Sequence, residues 1–426
     1  MSLFSRRCCF TSRSARELIG SVSETTPLRS RFLRRSFSAG ANRDLSNPTL
    51  SELMSNYPEL VGSKRALMGL LNKYSNNFKA RKGLSERDLD KLSSSILPIA
   101  NTLRNNEMTN VLKFFVRLHK KPSPYLLQAV QQQLEAKISS YSPRDCATSL
   151  WSFGKLKKPV EDTLMLQIEN NIAEKHSNYL SIDISQMYWA YARLSRVPSP
   201  VVLDAFESQI MKLQDSLKTQ ELPNILWAYG KLEIQPSPEF MSFIEGEIVN
   251  RSKEYNVQDV SNLFWAFGKL DHMPSQQAVQ CLDRQMYSLL KEFNLQAFSN
   301  CLRAFARLKY TPRPEFMYAL EARMLNHEKS MEINHVADIL LSYGEMDMNL
   351  PDDILETSEK HLLRKSSTLD SYILKKFLLA FTKFNYPPSP DVMAVFETFV
   401  DEYPTDETQE MTDIKLMFSK LKTLQK

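Results

Sequence analysis

The chain has 426 residues, of which 42% are hydrophobic and 24% charged, with only 10 glycines, and this composition supports a long buried core. No run approaches the roughly 18 apolar residues that a membrane-spanning helix needs, which excludes a transmembrane segment. The five cysteines (Cys8, Cys9, Cys146, Cys281 and Cys301) show no CxxC pair or regular spacing. This argues against a disulfide framework or a zinc site and favours a reducing compartment.

The first 37 residues differ in composition from the rest. They hold eight arginines, no lysine, many serines and only two acids, Glu17 and Glu24. This composition is typical of an organellar transit peptide, and Arg35-Ser36-Phe37-Ser38 resembles a mitochondrial processing site. We predict a cleaved presequence over residues 1–37 and a mitochondrial matrix protein, with a plastid as the less favoured destination. A disordered basic tail is the alternative.

Removal of the presequence changes the charge balance. The whole chain has 54 basic and 49 acidic residues. Subtracting eight arginines and two glutamates leaves 46 basic and 47 acidic residues, which is a net charge of −1. The total charge of the mature chain therefore does not indicate nucleic-acid binding, and any such indication has to come from where the charges lie.

Residues 38–105 are predicted to be a lead-in followed by N-terminal capping helices. Residues 38–60 are polar and contain two prolines, whereas the chain from Ser63 to about Asn105 has a helical pattern. Within it, Ser85-Glu86-Arg87-Asp88 has the pattern of a capped helix start. The segment does not share the period that follows, so we predict an atypical end cap of a repeat array.

Over residues 106–410 the chain repeats every 38 residues, eight times, without insertion or deletion. We call one bulky apolar position in each repeat its anchor, and the eight anchors are Leu118, Leu156, Leu194, Leu232, Leu270, Leu308, Met346 and Phe384. An aromatic residue lies three positions before every anchor. Proline-marked turns such as Pro236-Ser237-Pro238 then precede a second apolar stripe. The pattern predicts an all-α fold, an α-solenoid of about eight helical hairpins, with residues 411–426 as a capping half-repeat.

An acid recurs 13 residues after the anchor in seven of the eight repeats. We interpret this acid column as solvent-facing and structural. Its members are Glu169, Glu207, Glu245, Asp283, Glu321, Glu359 and Glu397.

A helical wheel divides the first helix of each repeat into two arcs. The apolar arc includes the aromatic residue and a small residue two positions before the anchor, which lets a neighbouring helix approach closely. On the opposite arc, the position eight before the anchor is polar, and the position one before it is basic in seven repeats of eight. Between these lie all four tryptophans, five before an anchor, and a position that is mostly Ala or Ser. We call these sets the polar, basic and tryptophan columns.

Together the three columns resemble what binds single-stranded RNA: cations for phosphates, rings for stacking and amides for base edges. For the tryptophans, packing against the adjacent repeat is the favoured alternative, and the polar column could equally make capping or inter-helix hydrogen bonds. The predicted RNA-binding residues are Arg117, Lys155, Arg193, Lys231, Lys269 and Arg307, then Asn110, Thr148, Gln186, Asn224, Asn262 and Asn300, and finally Trp151, Trp189, Trp227 and Trp265.

The 38-residue period, the stretch Leu226-Trp227-Ala228-Tyr229-Gly230-Lys231-Leu232 and the Pro-Glu-Phe-Met sequences at 238–241 and 314–317 resemble octotricopeptide repeat proteins. The resemblance covers about residues 106–422. It implies an organellar α-solenoid that binds RNA and acts in transcript stability, processing or translation, and some members belong to organellar ribosomes. Related proteins often end in a nuclease-like RAP domain, which we do not expect here because only residues 411–426 follow the eighth repeat. The last two repeats depart from the pattern, with Glu345 in the basic column and Leu341 and Leu379 in place of tryptophan.

We therefore predict a helical-repeat protein that binds single-stranded RNA, either an organellar transcript or rRNA, on the concave face at roughly one base per repeat. The alternative is a protein-binding scaffold or structural subunit of a mitochondrial ribosome or another large mitochondrial complex, which the near-neutral charge favours. The sequence has no phosphate loop, metal-ligand cluster or nucleophile–base pair. We predict no enzyme activity, no cofactor, no metal and no membrane span.

Overall fold

α-Helices and short 3₁₀ turns make up the computed structural model, which describes residues 64–75, 85–326, 331–402 and 408–424 and contains no strand within those ranges. The predicted presequence, its processing site and the lead-in over residues 38–60 lie outside the described residues. The helices are α1 (Lys64–Ser75), α2 (Glu86–Ile96), α3 (Asn105–Leu118), α4 (Pro124–Lys137), α5 (Pro143–Leu156), α6 (Asp162–Lys175), α7 (Ser181–Leu194), α8 (Pro200–Lys212), α9 (Glu221–Leu232), α10 (Pro238–Arg251), α11 (Val257–Lys269), α12 (Gln276–Ser288), α13 (Leu295–Leu308), α14 (Pro314–Asn326), α15 (Ile333–Glu345), α16 (Asp352–Arg364), α17 (Ser371–Lys383), α18 (Pro390–Glu402) and α19 (Gln409–Leu424).

The chain divides within α8, between Gln209 and Ile210, into two compact units. In the first unit the first helices α3, α5 and α7 pack side by side, and the second helices α4 and α6 form an adjacent layer. In the second unit α9, α11, α13, α15 and α17 pack in the same way, with their second helices beside them. Each unit is thus an α-solenoid of stacked helical hairpins, which confirms the predicted fold class. We number the repeats 1 (α3–α4) to 8 (α17–α18).

The aromatic residue three before each anchor forms the centre of each repeat. All eight side chains are at most 1% exposed: Phe115, Phe153, Tyr191, Tyr229, Phe267, Phe305, Tyr343 and Phe381. Burying a side chain of this size stabilises the fold by roughly 2–3 kcal/mol. The predicted apolar arc is therefore confirmed, and its period explains why the hairpins stack without insertions.

Each first helix ends in the same turn. The residue directly after the anchor is left-handed in all eight repeats, with φ between 49° and 56°: His119, Lys157, Ser195, Glu233, Asp271, Lys309, Asp347 and Asn385. The next amide donates to the carbonyl of the buried aromatic residue, at 2.9–3.3 Å, which is the six-to-one bond of a Schellman motif. None of the eight is glycine, although only glycine adopts this conformation without a steric cost from Cβ.

Neighbouring first helices approach closely at small residues. A Cβ added to Gly268 would lie only 2.6 Å from the Cα of Ala304, and one added to Gly230 would lie 3.1 Å from that of Ala266. The small residue two positions before the anchor of one repeat therefore contacts the residue four positions before the anchor of the next repeat. The helical wheel placed the position four before the anchor on the polar arc. This was wrong, because the next helix covers it, and Ala266 and Ala304 are 0% and 2% exposed.

The acid column is mostly covered, so the prediction that it faces solvent was wrong. Glu207, Asp283 and Glu359 are only 5%, 5% and 7% exposed. The reason is that the next repeat's turn lies over the carboxylate and donates hydrogen bonds to it. The amide of Ser389, for example, donates to Glu359 at 3.0 Å.

Tyrosines of the following repeat bind the same carboxylates. The hydroxyl of Tyr343 donates to Glu321 at 3.0 Å, and that of Tyr310 donates to Asp283 at 2.7 Å. The predicted structural role of the column is therefore confirmed, and it consists of joining each repeat to the next.

The ends of the second helices also join neighbouring repeats. The ammonium of Lys175 donates to the carbonyls of Ser139 and Tyr141, at 2.6 and 3.2 Å, in the turn of the preceding repeat. In the second unit Gln285 donates to the carbonyl of Tyr255 at 2.6 Å. These side chains satisfy backbone acceptors that the short 3₁₀ turns leave without a partner.

The two N-terminal helices take the places of a hairpin. Helix α1 packs against the first helix α3, and α2 packs against the second helix α4. The capping box predicted at Ser85 is present, since its hydroxyl accepts from the amide of Asp88 and its own amide donates to the Asp88 carboxylate. At the other end α19 packs against α17. No helix in the described ranges is long and apolar enough to cross a bilayer.

Candidate nucleic-acid interface

In each unit the three columns lie on what we call its first-helix face, which is the surface formed by the polar, tryptophan and basic columns of that unit's first helices. In the basic column Lys155, Arg193, Lys231 and Arg307 are exposed, whereas Arg117 and Lys269 are half-buried. The four tryptophans are all half-buried. The face therefore offers exposed cations above partly covered rings.

Tryptophans of adjacent repeats pack against one another. The ring centroids of Trp151 and Trp189 are 6.4 Å apart, and those of Trp227 and Trp265 are 6.1 Å apart and stacked at 30°. A Cβ on Gly230 would lie 3.3 Å from the Trp265 ring, so glycine provides the room that the ring fills. This geometry confirms the packing role of the tryptophans. RNA stacking on their remaining exposed surface stays a prediction.

Basic and aromatic side chains interleave in the first unit. The ammonium of Lys155 lies 4.2 Å from the Trp189 ring centroid and 5.6 Å from that of Trp151. The guanidinium of Arg193 lies 5.7 Å from the Trp189 centroid. Burial lowers the pKa of Lys155, and the neighbouring charge of Arg193 lowers it further. The face thus places like charges close together, which favours an anionic partner.

A second group of cations lies beside this one. Burial lowers the pKa of Lys113, and the charges of Arg117 and Arg144 lower it further. Lys113 holds the tryptophan position of repeat 1, so a cation replaces the ring there. The first repeat therefore adds charge to the face where later repeats add an indole.

In the second unit one carboxylate partly neutralises the basic column. Lys269 donates a hydrogen bond to Glu233, and this bond and the charges of Lys269, Arg307 and Lys231 lower the pKa of Glu233. The carboxylate of Glu233 is therefore paired with Lys269 and is influenced by the charges of its neighbours Lys231 and Arg307. Among the predicted RNA-binding residues, Lys269 is the one that donates a hydrogen bond to Glu233.

The polar column is less exposed than the wheel predicts. Asn110, Gln186, Asn224, Asn262 and Asn300 are half-buried. Thr148 is 7% exposed, so the expectation that its hydroxyl lies on an open surface was wrong. The next repeat's first helix covers one side of this column, as it covers the alanines four before the anchor.

In the last repeats the same positions bind one another. Lys376 is 5% exposed, and its ammonium lies 2.8 Å from Asp338 and donates to Asn334 at 2.7 Å. Arg303 lies 2.7 Å from Glu345. These ion pairs involve the polar column of repeats 7 and 8 (Asp338 and Lys376), the basic-column position of repeat 7 (Glu345) and the tryptophan position of repeat 6 (Arg303). They agree with the departure of repeats 7 and 8 from the sequence pattern.

The sequence analysis missed a set of basic residues in the turns after the anchors. In the first unit these are His119, Lys120, Lys121, Lys157, Lys158 and Arg196, whereas the equivalent turns of repeats 4, 5 and 7 begin with Glu233, Asp271 and Asp347. The signal was available in the first three positions after each anchor, read down the repeats. These residues extend the positive charge beyond the helix ends.

Two of these turns enclose a groove in the first unit. It has a volume of about 520 Å³ and lies between the C-terminal ends of α3 and α5. Val116 and Leu156 line its apolar part. The other lining residues are Arg117, His119, Lys120, Lys121, Trp151, Lys155 and Lys157, and none of the lining residues is acidic.

Side chains that bind metals are scattered across the described ranges. No three His, Cys, Asp or Glu residues in these parts of the chain lie close enough to hold an ion. Cys146 and Cys301 are fully buried, and burial raises the pKa of the Cys146 thiol to about 11. These two thiols belong to the core.

The chain belongs to the RNA-editing substrate-binding complex 6 protein family, whose family model matches residues 183–422, more than half of its length. It is thus an RNA-associated helical repeat protein. The match does not specify octotricopeptide repeats, so that finer resemblance stays a prediction. The matched region begins inside α7, so the basic groove lies outside it.

No curated protein sequence matches the chain. Among solved structures, one of an engineered protein aligns with 85% of this chain and 97% of its own, at 13% sequence identity and a TM-score of 0.40.

Proposed function

We propose that this protein binds single-stranded RNA on its first-helix face and serves in an organellar assembly that acts in RNA stability, processing or translation. The observation that carries the proposal is the alternation of exposed cations with partly exposed indoles, seen where Lys155 lies over Trp189. Such alternation offers phosphate contacts and stacking surfaces at regular intervals along one face. The family description, which names an RNA-editing substrate-binding complex, supports this choice of ligand.

Repeats 1 to 6 carry the proposed contacts. Their basic column supplies six cations, and their polar column supplies half-buried amides in five of the six repeats, the buried Thr148 being the exception. We assign these amides to contacts with base edges. Repeats 7 and 8 are assigned a different role, because Asp338 and Glu345 already pair with Lys376 and Arg303. We assign the RNA footprint to the face up to Arg307.

Salt dependence of RNA binding tests this proposal. The full chain is titrated with a labelled single-stranded RNA of mixed sequence at several salt concentrations. Each phosphate contact contributes a slope of about −0.7 in log affinity against log salt. Lys231→Ala combined with Arg307→Ala is expected to flatten the slope by up to ~1.4 and to weaken all sequences alike.

The matched control is Lys253→Ala combined with Lys291→Ala. It removes the same charge from exposed turns at the other end of the hairpins, beyond the second helices. It is expected to keep the wild-type slope. Asn224→Ala is expected to change base preference with little effect on the slope, because an amide is uncharged. Absence of binding above background at low salt would refute the RNA proposal.

A protein-binding scaffold is the second candidate, and one observation favours it. The polar column of repeats 7 and 8 and the basic-column position of repeat 7 are taken up by the ion pairs Lys376–Asp338 and Arg303–Glu345 rather than by cations open to phosphate. Purification from mitochondria with a protein assembly, from which nuclease treatment does not release the chain, would support this candidate. A subunit of a mitochondrial ribosome is included in it.

Mitochondrial targeting is part of the proposal and rests on the arginine-rich segment over residues 1–37. Deletion of these residues is expected to leave the protein in the cytosol with an unchanged helical content. Import of the truncated protein into mitochondria would contradict the targeting role.

A further inference from the structure

The groove between the ends of α3 and α5 has features that the repeat pattern does not explain. A cation near a helix C-terminus is expected, because it offsets the negative end of the helix dipole. One or two such charges would suffice for two helices. Here six basic side chains converge around one opening, and none of the lining residues carries a carboxylate.

One of these basic side chains is already engaged. The ammonium of Lys120 lies 2.7 Å from the carboxylate of Glu86 in α2. The other five basic residues of the lining include Lys121 and Lys157, which are both exposed. Net positive charge therefore remains at the opening, and it faces solvent.

The groove also has a flat aromatic wall. Trp151 lines it, and its indole packs against Trp189 of the next repeat, with ring centroids 6.4 Å apart, so the ring is held in place. A ring fixed in this way offers a base a stacking surface without first losing conformational freedom. The volume of about 520 Å³ is in the range of sites that hold a small organic ligand.

We propose that this groove binds one nucleotide, with its base against Trp151 and its phosphates at Lys121 and Lys157. The ligand is a nucleoside phosphate, either within a bound RNA strand or as a free nucleotide. The inference rests on the proposed RNA-binding function when the nucleotide belongs to a strand. It adds an anchoring position at the helix ends, where Lys121 and Lys157 of the turns meet Arg117, Lys155 and Trp151 of the basic and tryptophan columns.

The test uses the full chain and the variant Lys121→Ala with Lys157→Asn. Asparagine is chosen at residue 157 because it tolerates the left-handed backbone found there. The control is again Lys253→Ala with Lys291→Ala, which changes the net charge equally. Circular dichroism and thermal melts check that all variants keep the wild-type fold.

Two measurements are made on these proteins. The first is the salt slope for single-stranded RNA, which is expected to flatten by up to ~1.4 in the groove variant and to remain unchanged in the control. The second is ultraviolet crosslinking of the RNA followed by peptide mass spectrometry. A crosslink is expected within the peptide that contains Trp151.

Binding of free ligands distinguishes a free nucleotide from a nucleotide within an RNA strand. Adenosine monophosphate that binds the wild type, but not the groove variant, identifies a free nucleotide as a ligand. Binding of RNA with the expected slope change, without binding of the monophosphate, identifies a nucleotide of a strand. If inorganic phosphate competes for the groove as well as adenosine monophosphate does, the base contributes nothing to binding, and the proposed stacking on Trp151 is refuted.

The outcomes also separate this inference from the proposed function. If the wild type binds no RNA, the proposed function fails, and binding of adenosine monophosphate then decides the groove alone. If the wild type binds RNA while the groove variant keeps its slope, the groove proposal fails even if a crosslink falls near Trp151, because this ring also belongs to the tryptophan column.

Discussion

The ammonium of Lys155 lies 4.2 Å from the ring centroid of Trp189, a residue of the next repeat. The contact joins two first helices through a cation and a ring. It also brings Lys155 close to Arg193, whose charge lowers the lysine pKa. Packing between repeats therefore sets both the position and the electrostatics of the face.

Lys155→Met tests the energetic value of this contact. Methionine keeps an apolar stem and removes the charge, so the unfolding free energy is expected to fall by about 0.5–1 kcal/mol. Relief of the repulsion between Lys155 and Arg193 offsets part of this loss. Lys155→Arg is expected to retain most of the stability. A double-mutant cycle with Trp189→Leu, followed by urea denaturation, measures the coupling. A coupling energy of about zero would contradict the contact.

Close approach between first helices is tested at two glycines of the second unit. Gly268→Ala is expected to destabilise the protein by roughly 1–3 kcal/mol, because the new Cβ would lie 2.6 Å from the Cα of Ala304. Gly246→Ala is the matched control. No atom lies within 4 Å of its new Cβ, so higher helix propensity should stabilise the protein by about 0.5–1 kcal/mol. Opposite shifts of the thermal midpoint are the expected result, and equal shifts would refute the packing argument.

The left-handed turns predict a substitution that increases stability. Lys309 has a φ of 53° and is exposed. Lys309→Gly removes the steric cost of Cβ and is expected to raise the unfolding free energy by up to ~1 kcal/mol. The greater conformational entropy that glycine gives the unfolded chain offsets part of this gain. Lys309→Val is expected to lower it, since a branched side chain tolerates this conformation poorly. Thermal melts of the two variants should move in opposite directions.

Acid should weaken the attachment of α1 to α3. Lys64 lies 3.0 Å and Arg104 2.9 Å from the carboxylate of Glu107. Burial by itself raises the pKa of Glu107, but hydrogen bonds from Arg104 and Lys64 outweigh it and lower the pKa to about 2. A lowered folded-state pKa means stability that is present above about 4.5 and is lost as the pH falls toward 2.

Glu107→Gln isolates this contribution. The variant is expected to be less stable than the wild type at pH 7 by about 1 kcal/mol, a value reduced for solvent screening, and to equal it near pH 2. Urea denaturation at several pH values measures the difference. A difference that did not change with pH would show that the carboxylate charge plays no part.

The sequence allowed the fold to be predicted because every repeated position meets the same surroundings. Eight buried aromatic residues at one spacing define one face of a helix, and a fixed period implies stacking. The partners of the acid column could not be predicted in this way. The tyrosine that binds Glu321 and the turn amide that binds Glu359 come from the next repeat, about 20 to 30 residues later in the chain.

The candidate site was predictable only in part. The wheel identified the exposed cations, but it treats each helix as isolated and so placed the residues four before the anchor on the open arc. The groove depends on two turns that lie side by side, and Lys121 and Lys157 belong to different repeats. Reading the turn positions down the period would have found their charge, although not the cavity that they share.

The side chains that join neighbouring repeats have a mechanical consequence. Within each unit, bonds such as that from Lys175 to the carbonyl of Ser139 cross only one repeat boundary. A chain pulled from its ends would therefore lose hairpins one after another rather than all together. Each step would release about 38 residues, or roughly 130 Å of extended chain at 3.3–3.6 Å per residue. Such a molecule behaves as a spring with discrete steps, able to lengthen under load and to shorten again as each hairpin folds onto its neighbour.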